Sequence, residues 1–201
     1  MKLLLPIDLN GNFEHALATA RYQRCWNEHQ TTIVNSFEHH TGFSFKQAEI
    51  PARIIDGPIS RAGIGSDPIM ELSVELSDDN EIARTLIHEL AHCLLIGNGI
   101  EPSGTSAFAE SRHPYHMHRH IDLFLYDSLV DILGREQADL EVATESKYGK
   151  PAYKKAWDWA LAMNYAERQQ ALLRLKKRYQ KQREHTITKS NRFTKTQFEN
   201  H

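Results

Sequence analysis

Three residues in one short segment have the types and the spacing of a metal-dependent hydrolytic centre. Residues 85–94 read TLIHELAHCL, which places His88, Glu89 and His92 in the arrangement His-Glu-x-x-His. On an α-helix, residues four apart lie one above the other, so both imidazoles would project from one face and could bind one cation. The adjacent Glu89 carboxylate could take a proton from a water on the metal without being a ligand itself. The pattern predicts zinc bound by both histidines, with Glu89 as the general base.

The residues around this motif predict a buried helix of ordinary length. Its neighbours are uncharged and mostly apolar: Leu86, Ile87, Leu90, Ala91, Cys93, Leu94 and Leu95. From Leu86 to Leu95, His88, Glu89 and His92 would therefore be the only strongly polar side chains in a stretch that otherwise belongs to the core. Asp78 and Glu81 have the spacing of a capping box, and Gly97 with Gly99 can end the helix. The alternative interpretation is two hydrogen-bonded core histidines with no metal.

A third zinc ligand must follow His92, because a catalytic zinc has three protein ligands and one open position. The candidates lie in the segment RHPYHMHRH and just beyond it: His113, His116, His118, His120, Asp122, Asp127, Asp131 and Glu136. We expect His120, since it begins the predicted helix Ile121–Leu133 and a packed element would fix its position. Asp127, on the same helix, is the alternative. The other histidines are expected in a loop, where one could hydrogen-bond an oxyanion, as could the phenols of Tyr115 or Tyr126.

The segments before the motif predict a long helix and a small sheet. Residues 13–40 place apolar side chains at helical spacing, and a strand is expected at Ala52–Ile55. Residues 69–76, IMELSVEL, alternate strictly, so one strand face should be buried and the face with Glu71 and Glu75 solvated. Such a strand beside the site could pair with an extended peptide.

The C-terminal half is predicted to be helical and then irregular. Helices are expected at Glu136–Lys147 and from Pro151 to about Gln182, with Gly134 ending the helix before them. From Glu184 onward the sequence is polar and lacks periodicity, which indicates disorder. Residues 165–201 have net charge +7, whereas the rest of the chain has −9. Such a basic end is usually solvated, but it could bind nucleic acid.

The motif HELAH and residues 120–133, HIDLFLYDSLVDIL, together resemble SprT-like and other minimal zincin metallopeptidases. In that family a second helix begins with a histidine ligand that is followed four residues on by an aromatic, here His120 and Phe124. The resemblance covers about residues 69–134, with Ile121 in place of the family's usual glycine, and the SprT zinc ribbon is missing. It implies an α+β, zincin-like domain, with a small twisted sheet, an active-site helix beneath it and a helical C-terminal half.

These observations predict a zinc-dependent metallopeptidase that hydrolyses peptide or protein substrates. Residues 1–164 would form the zincin-like domain, and residues 165–201 a basic helical extension with a polar tail. The alternative is an inactive zincin-fold protein that binds nucleic acid or a protein partner through that tail. The 201 residues carry a net charge of −2 and two cysteines, and no apolar run is long enough to span a bilayer. We therefore expect a cytoplasmic protein without a disulfide framework or a membrane partner.

Overall fold

A computed structural model describes residues 1–5, 12–62, 69–100, 114–148 and 151–198. The described ranges form an α+β fold with a small parallel sheet and mostly helical content. In chain order the elements are β1 (Lys2–Leu4), α1 (Phe13–Thr41), β2 (Glu49–Ile55), β3 (Met70–Ser73), α2 (Asp79–Gly97), α3 (Pro114–Leu133), α4 (Arg135–Tyr148), α5 (Pro151–Leu161) and α6 (Tyr165–Phe198). None of the helices so described is long and apolar enough to cross a membrane.

The sheet contains three parallel strands in the order β1-β2-β3. Leu3 pairs with Ile50, and Ala52 pairs with Met70. These four side chains are buried in the same hydrophobic core as the helices. The predicted small sheet is confirmed, and the strand expected at residues 52–55 lies within β2.

The prediction of a solvated strand face is wrong at Glu71, whereas Glu75, beyond the end of β3, is exposed as expected. All four residues of this strand are buried, and Glu71 is 2 % exposed. Its carboxylate accepts hydrogen bonds from Arg53 on β2 and from Arg61. Arg61 also pairs with the second edge of β3: its N–H donates to the Glu71 carbonyl oxygen at 2.8 Å, and its carbonyl oxygen accepts from the Glu71 N–H at 2.7 Å. Alternation of polar residues could not show that two arginines would neutralise a buried acid.

The first helix and the motif helix form as predicted because local signals fix their ends. The Asn12 side chain caps α1, which ends at Gly42 with φ of 64°. For α2, the Asp78 side chain accepts from the Glu81 N–H at 2.8 Å, and the Glu81 carboxylate accepts from the Ser77 N–H at 2.8 Å. Every residue from 86 to 95 is buried. The site residues on α2 are therefore held by a packed helix.

Helix α3 begins at Pro114, seven residues before the predicted start at Ile121. Proline suits the first turn of a helix, because its missing N–H would have no helical partner there. The following residues lack the apolar periodicity that would have revealed the helix from sequence. His118 and His120 consequently both lie on α3, and two residues along a helix correspond to a rotation of about 200°. The two imidazoles therefore leave the helix on different sides.

The predicted single helix from Pro151 to about Gln182 is divided into α5 and α6. Asn164 starts α6 with a reciprocal cap: it accepts from the Glu167 N–H at 3.1 Å, and the Glu167 carboxylate accepts from the Asn164 N–H at 2.8 Å. The backbone stays helical to Phe198, so the irregular structure expected from Glu184 onward is also corrected. Leu172 of α6 packs into the same hydrophobic core as the preceding elements, although the predicted domain boundary falls between residues 164 and 165.

Candidate metal centre

Three buried imidazoles from two helices converge at one point. His88 and His92 project from α2 and His118 from α3, and all three are buried. The ring centroids are 5.2 Å apart for His88 and His92, 5.1 Å for His88 and His118, and 5.5 Å for His92 and His118. One nitrogen of each ring lies within 4.8 Å of the others. This is the donor set of a three-histidine metal site.

The spacing of the rings fits a tetrahedral ion. With a zinc–nitrogen distance of about 2.1 Å, an imidazole centre lies about 3.2 Å from the metal, and two such centres lie about 5.2 Å apart at tetrahedral angles. The three observed separations of 5.1 to 5.5 Å agree with this value. Three histidines leave the fourth tetrahedral position for water or substrate, as catalytic zinc sites require.

The third member of the group is His118, where the sequence led us to expect His120. The His120 ring instead lies edge-on to Tyr179 of α6, with centroids 6.0 Å apart. The difference follows from the start of α3, because a helix expected to begin at residue 121 made His120 its first fixed residue. The earlier start gives His118 the same packed support and directs it toward α2.

The other predicted ligands are placed elsewhere or behind the cluster. Both carboxylate oxygens of Asp127 accept from Arg168 at 2.8 Å, and Asp131 accepts from His40 at 2.8 Å. Glu136 is exposed. Asp122 is buried and groups with His118 and an acid of α4. His113 and the side chain of His116 lie outside the described residues.

Two carboxylates of α4 lie behind the imidazoles. His88 Nδ1 lies 3.3 Å from a carboxylate oxygen of Glu145 and 3.5 Å from one of Glu141. Because Nδ1 of this ring faces α4, its Nε2 points away from these two acids. The acids stand four residues apart and share a helix face. Sequence reasoning missed them because paired acids on a helix usually indicate a solvated face.

The electrostatics of the cluster favour one added positive charge. Burial lowers the pKa of His88, but the carboxylates of Glu145, Glu141 and Glu89 outweigh burial and raise it to about 10. Burial, together with the neighbouring His88 and His92, lowers the pKa of His118 well below its usual value. The buried acids can thus be balanced either by a proton on His88 or by a metal cation that displaces it.

A cavity of about 370 Å³ opens onto the three histidines. Glu89 is buried and lines this cavity, so its carboxylate stands beside the imidazole cluster. Residues 58–62, which include the Arg61 that pairs with the second edge of β3, also line this cavity. The cavity therefore combines a candidate metal site, a carboxylate and an opening to solvent.

The phenol in this cavity belongs to Tyr153 of α5, which sequence reasoning missed. Its ring stacks on His118 with centroids 3.9 Å apart and an interplanar angle of 27°. Burial and the carboxylates of Glu145 and Glu89 raise its pKa, so the phenol keeps its proton at neutral pH. The two tyrosines considered from sequence lie outside the cavity lining: Tyr126 donates to Asp139 at 2.8 Å, and Tyr115 lies next to the side chains of Arg119 and Lys155.

The chain matches no protein-family model, and comparisons with characterised proteins and with solved structures also give no match. The fold and the site define an α+β protein with a buried three-histidine cluster at the base of a cavity. Its chemistry is accordingly argued from its own residues.

Proposed function

We propose that the protein is a zinc-dependent metallopeptidase of the zincin type, with zinc bound by His88, His92 and His118. One observation carries the proposal: the three imidazoles have the separations of tetrahedral zinc ligands, and Glu89 lines the cavity onto which they open. The His-Glu-x-x-His spacing on a buried helix that contacts the sheet supports the zincin assignment.

The proposed reaction divides the work between the ion and the side chains around it. When bound, zinc lowers the pKa of water and polarises the substrate carbonyl. Glu89 takes the proton of the attacking water and then delivers it to the leaving amine. The protonated Tyr153 phenol, which stacks on His118 and lines the cavity, can donate a hydrogen bond to the developing oxyanion.

The substrate we propose is an extended peptide. Arg61 occupies the second edge of β3, so that strand is not itself the pairing strand we expected from sequence. Residues 58–62 line the cavity beyond it, and a peptide lying along them would pass over the histidine cluster.

Metal analysis and activity of two variants test the proposal. Glu89→Gln should keep one zinc per chain and lose proteolysis, because it removes the base and no ligand. His88→Ala should lose zinc, because it removes a ligand. A folded Glu89→Gln variant that still cleaves peptides, or a folded His88→Ala variant with unchanged zinc content, would contradict the assigned roles.

A second candidate function is an inactive zincin-fold protein that binds nucleic acid through α6. One observation favours it: Arg174, Lys177, Arg178 and Lys181 are all exposed and recur at helical spacing. Binding through this stripe should weaken steeply with added salt. Replacing the four residues together with glutamine in the full chain should lower both the affinity and the salt dependence. Unchanged binding would remove the stripe from consideration.

A further inference from the structure

We propose that Glu145 of α4 is a positioning residue for two candidate zinc ligands: it orients the His88 ring and acts on the His118 ring through its charge. The inference rests on the proposed zinc site. One oxygen of this carboxylate, Oε1, lies 3.3 Å from Nδ1 of His88 and 3.8 Å from Nδ1 of His118. A single acid therefore faces the same ring atom of two candidate ligands that come from two different helices.

The carboxylate itself is held in place from its other side. The indole N–H of Trp157, on α5, donates to the second oxygen, Oε2, at 2.6 Å. Trp157 is one of the largest fully buried side chains, so this donor is fixed by the core. Glu145 is thus anchored by α5 through one oxygen and faces the histidines of α2 and α3 with the other.

This arrangement selects the ring nitrogen that meets the metal. At 3.3 Å from His88, the carboxylate favours the tautomer with the proton on Nδ1, which leaves the Nε2 lone pair for the ion and makes the ligand more basic. Nδ1 of His118, at 3.8 Å, has no hydrogen-bond partner among the described residues, so the acid acts on that ring through its charge. Neutral histidine is needed for coordination, and the buried negative charge of Glu145 is offset when a cation binds. The acid therefore acts through the two histidines without contacting substrate.

The neighbouring acid has a different role in the same face. Glu141 lies 3.5 Å from His88 Nδ1 and also accepts from Nε of Arg84 at 3.2 Å. Arg84 is on α2, so this pair fixes α2 against α4 and its carboxylate is already balanced by a cation. Glu145 is the acid that bridges the histidines of both helices, which makes it the sharper target for a test.

The test measures zinc affinity by competition with a chelating indicator, using the full chain. Loss of an acid that orients a histidine ligand typically weakens metal binding about 10- to 100-fold. We expect Glu145→Leu to lie in this range and Glu145→Gln to lose less, because an amide oxygen still accepts one N–H. Glu136→Gln is the matched control, since Glu136 is an exposed acid of the same helix and its replacement should leave affinity unchanged.

The visible spectrum of the cobalt-substituted protein distinguishes a positioning role from a purely structural one, because it changes only when the geometry of the metal ligands changes. Turning the imidazoles should alter the d–d bands in Glu145→Leu but not in Glu136→Gln. If the leucine variant does not fold, Trp157→Phe keeps the carboxylate and removes its anchor, and it should show a smaller change in the same direction. If the wild-type protein binds zinc and Glu145→Leu has the same zinc affinity and the same cobalt spectrum, the role of Glu145 is overturned and the proposed function is not. Wild-type protein that takes up no zinc instead overturns the proposed function on which it rests.

Discussion

The choice between His118 and His120 as the third ligand gives the sharpest prediction. Both residues are buried histidines of α3, two positions apart, and only His118 groups with the α2 histidines in the described part of the chain. Replacing each in turn by alanine removes the same number of atoms from the same helix. The two variants should therefore lose different properties.

The size of the effect can be worked out from the proposed coordination. Structural four-ligand zinc sites are worth roughly 12 kcal/mol, so one ligand contributes about 3 kcal/mol, and His118→Ala should weaken zinc binding about 150-fold. At a free zinc concentration near 100 times the wild-type Kd, zinc stabilises the native state by about 2.7 kcal/mol. For a chain of this length that raises Tm by about 5–10 °C. In His118→Ala the same concentration should raise it by about 1 °C or less.

His120→Ala should show the opposite pattern. It removes the edge contact with the Tyr179 ring and leaves a space in the core, which costs about 1–3 kcal/mol of stability. Its Tm without metal should fall, while the increase on adding zinc should match the wild-type protein. The assay is thermal unfolding of both variants with zinc and with a chelator. A full zinc response in His118→Ala together with its loss in His120→Ala would refute the assignment.

Three further predictions concern the cavity and the sheet. Glu89→Gln should bind zinc as tightly as wild type while kcat for a peptide falls about 10²- to 10⁴-fold, the usual contribution of a general base; wild-type turnover by this variant would exclude that role. Tyr153→Phe should keep zinc affinity and lower kcat about 10²-fold if the phenol supports the oxyanion; a change in zinc affinity with kcat unchanged would instead make it a packing residue for His118. Burial raises the pKa of Glu71, but hydrogen bonds and charge from Arg53 and Arg61 outweigh burial and lower it overall. A carboxyl whose pKa is lower in the native state stabilises the fold above its unfolded pKa of about 4.3, and this stability is lost as the pH falls through the native pKa. Urea unfolding of Glu71→Gln should therefore show a lower free energy of unfolding at neutral pH and a smaller further loss in acid. A loss of stability in acid equal to that of the wild-type protein would argue against this pairing.

The features that local sequence determines were predicted well. The motif helix begins where Asp78 and Glu81 cap it, and α1 ends at Gly42, because caps and glycines act within one turn of the chain. The reciprocal cap of Asn164 and Glu167 was equally local and would have revealed the break before α6. Missing it joined two helices into one.

The features that depend on distant partners could not be read from sequence. Glu71 has the pattern of a solvated strand residue, and only the arrival of two arginines explains its burial. Glu141 and Glu145 have the pattern of a solvated helix face, but α4 turns that face toward His88. In each case burial of a charge is favourable only with partners that the linear pattern does not identify.

The third ligand lies between these two cases. The sequence left four histidines and four acids between residues 113 and 136 as candidates, with His120 preferred. The choice among the histidines depended on where α3 begins, and hence on which side of the helix each imidazole lies. A shift of two residues changes that direction by about 200°. The peptidase activity and the zincin class stay predictions, since they depend on the metal and the substrate.

X-ray absorption at the zinc edge of the purified full-length protein tests the central claim most directly. We predict one zinc per chain, bound by three imidazoles at about 2.0–2.1 Å with one further light-atom ligand. The spectrum of Glu89→Gln should contain the same three imidazoles, and that of His118→Ala one fewer. A sulfur ligand at about 2.3 Å, which would implicate Cys93, or folded protein that takes up no zinc at all, would contradict the account.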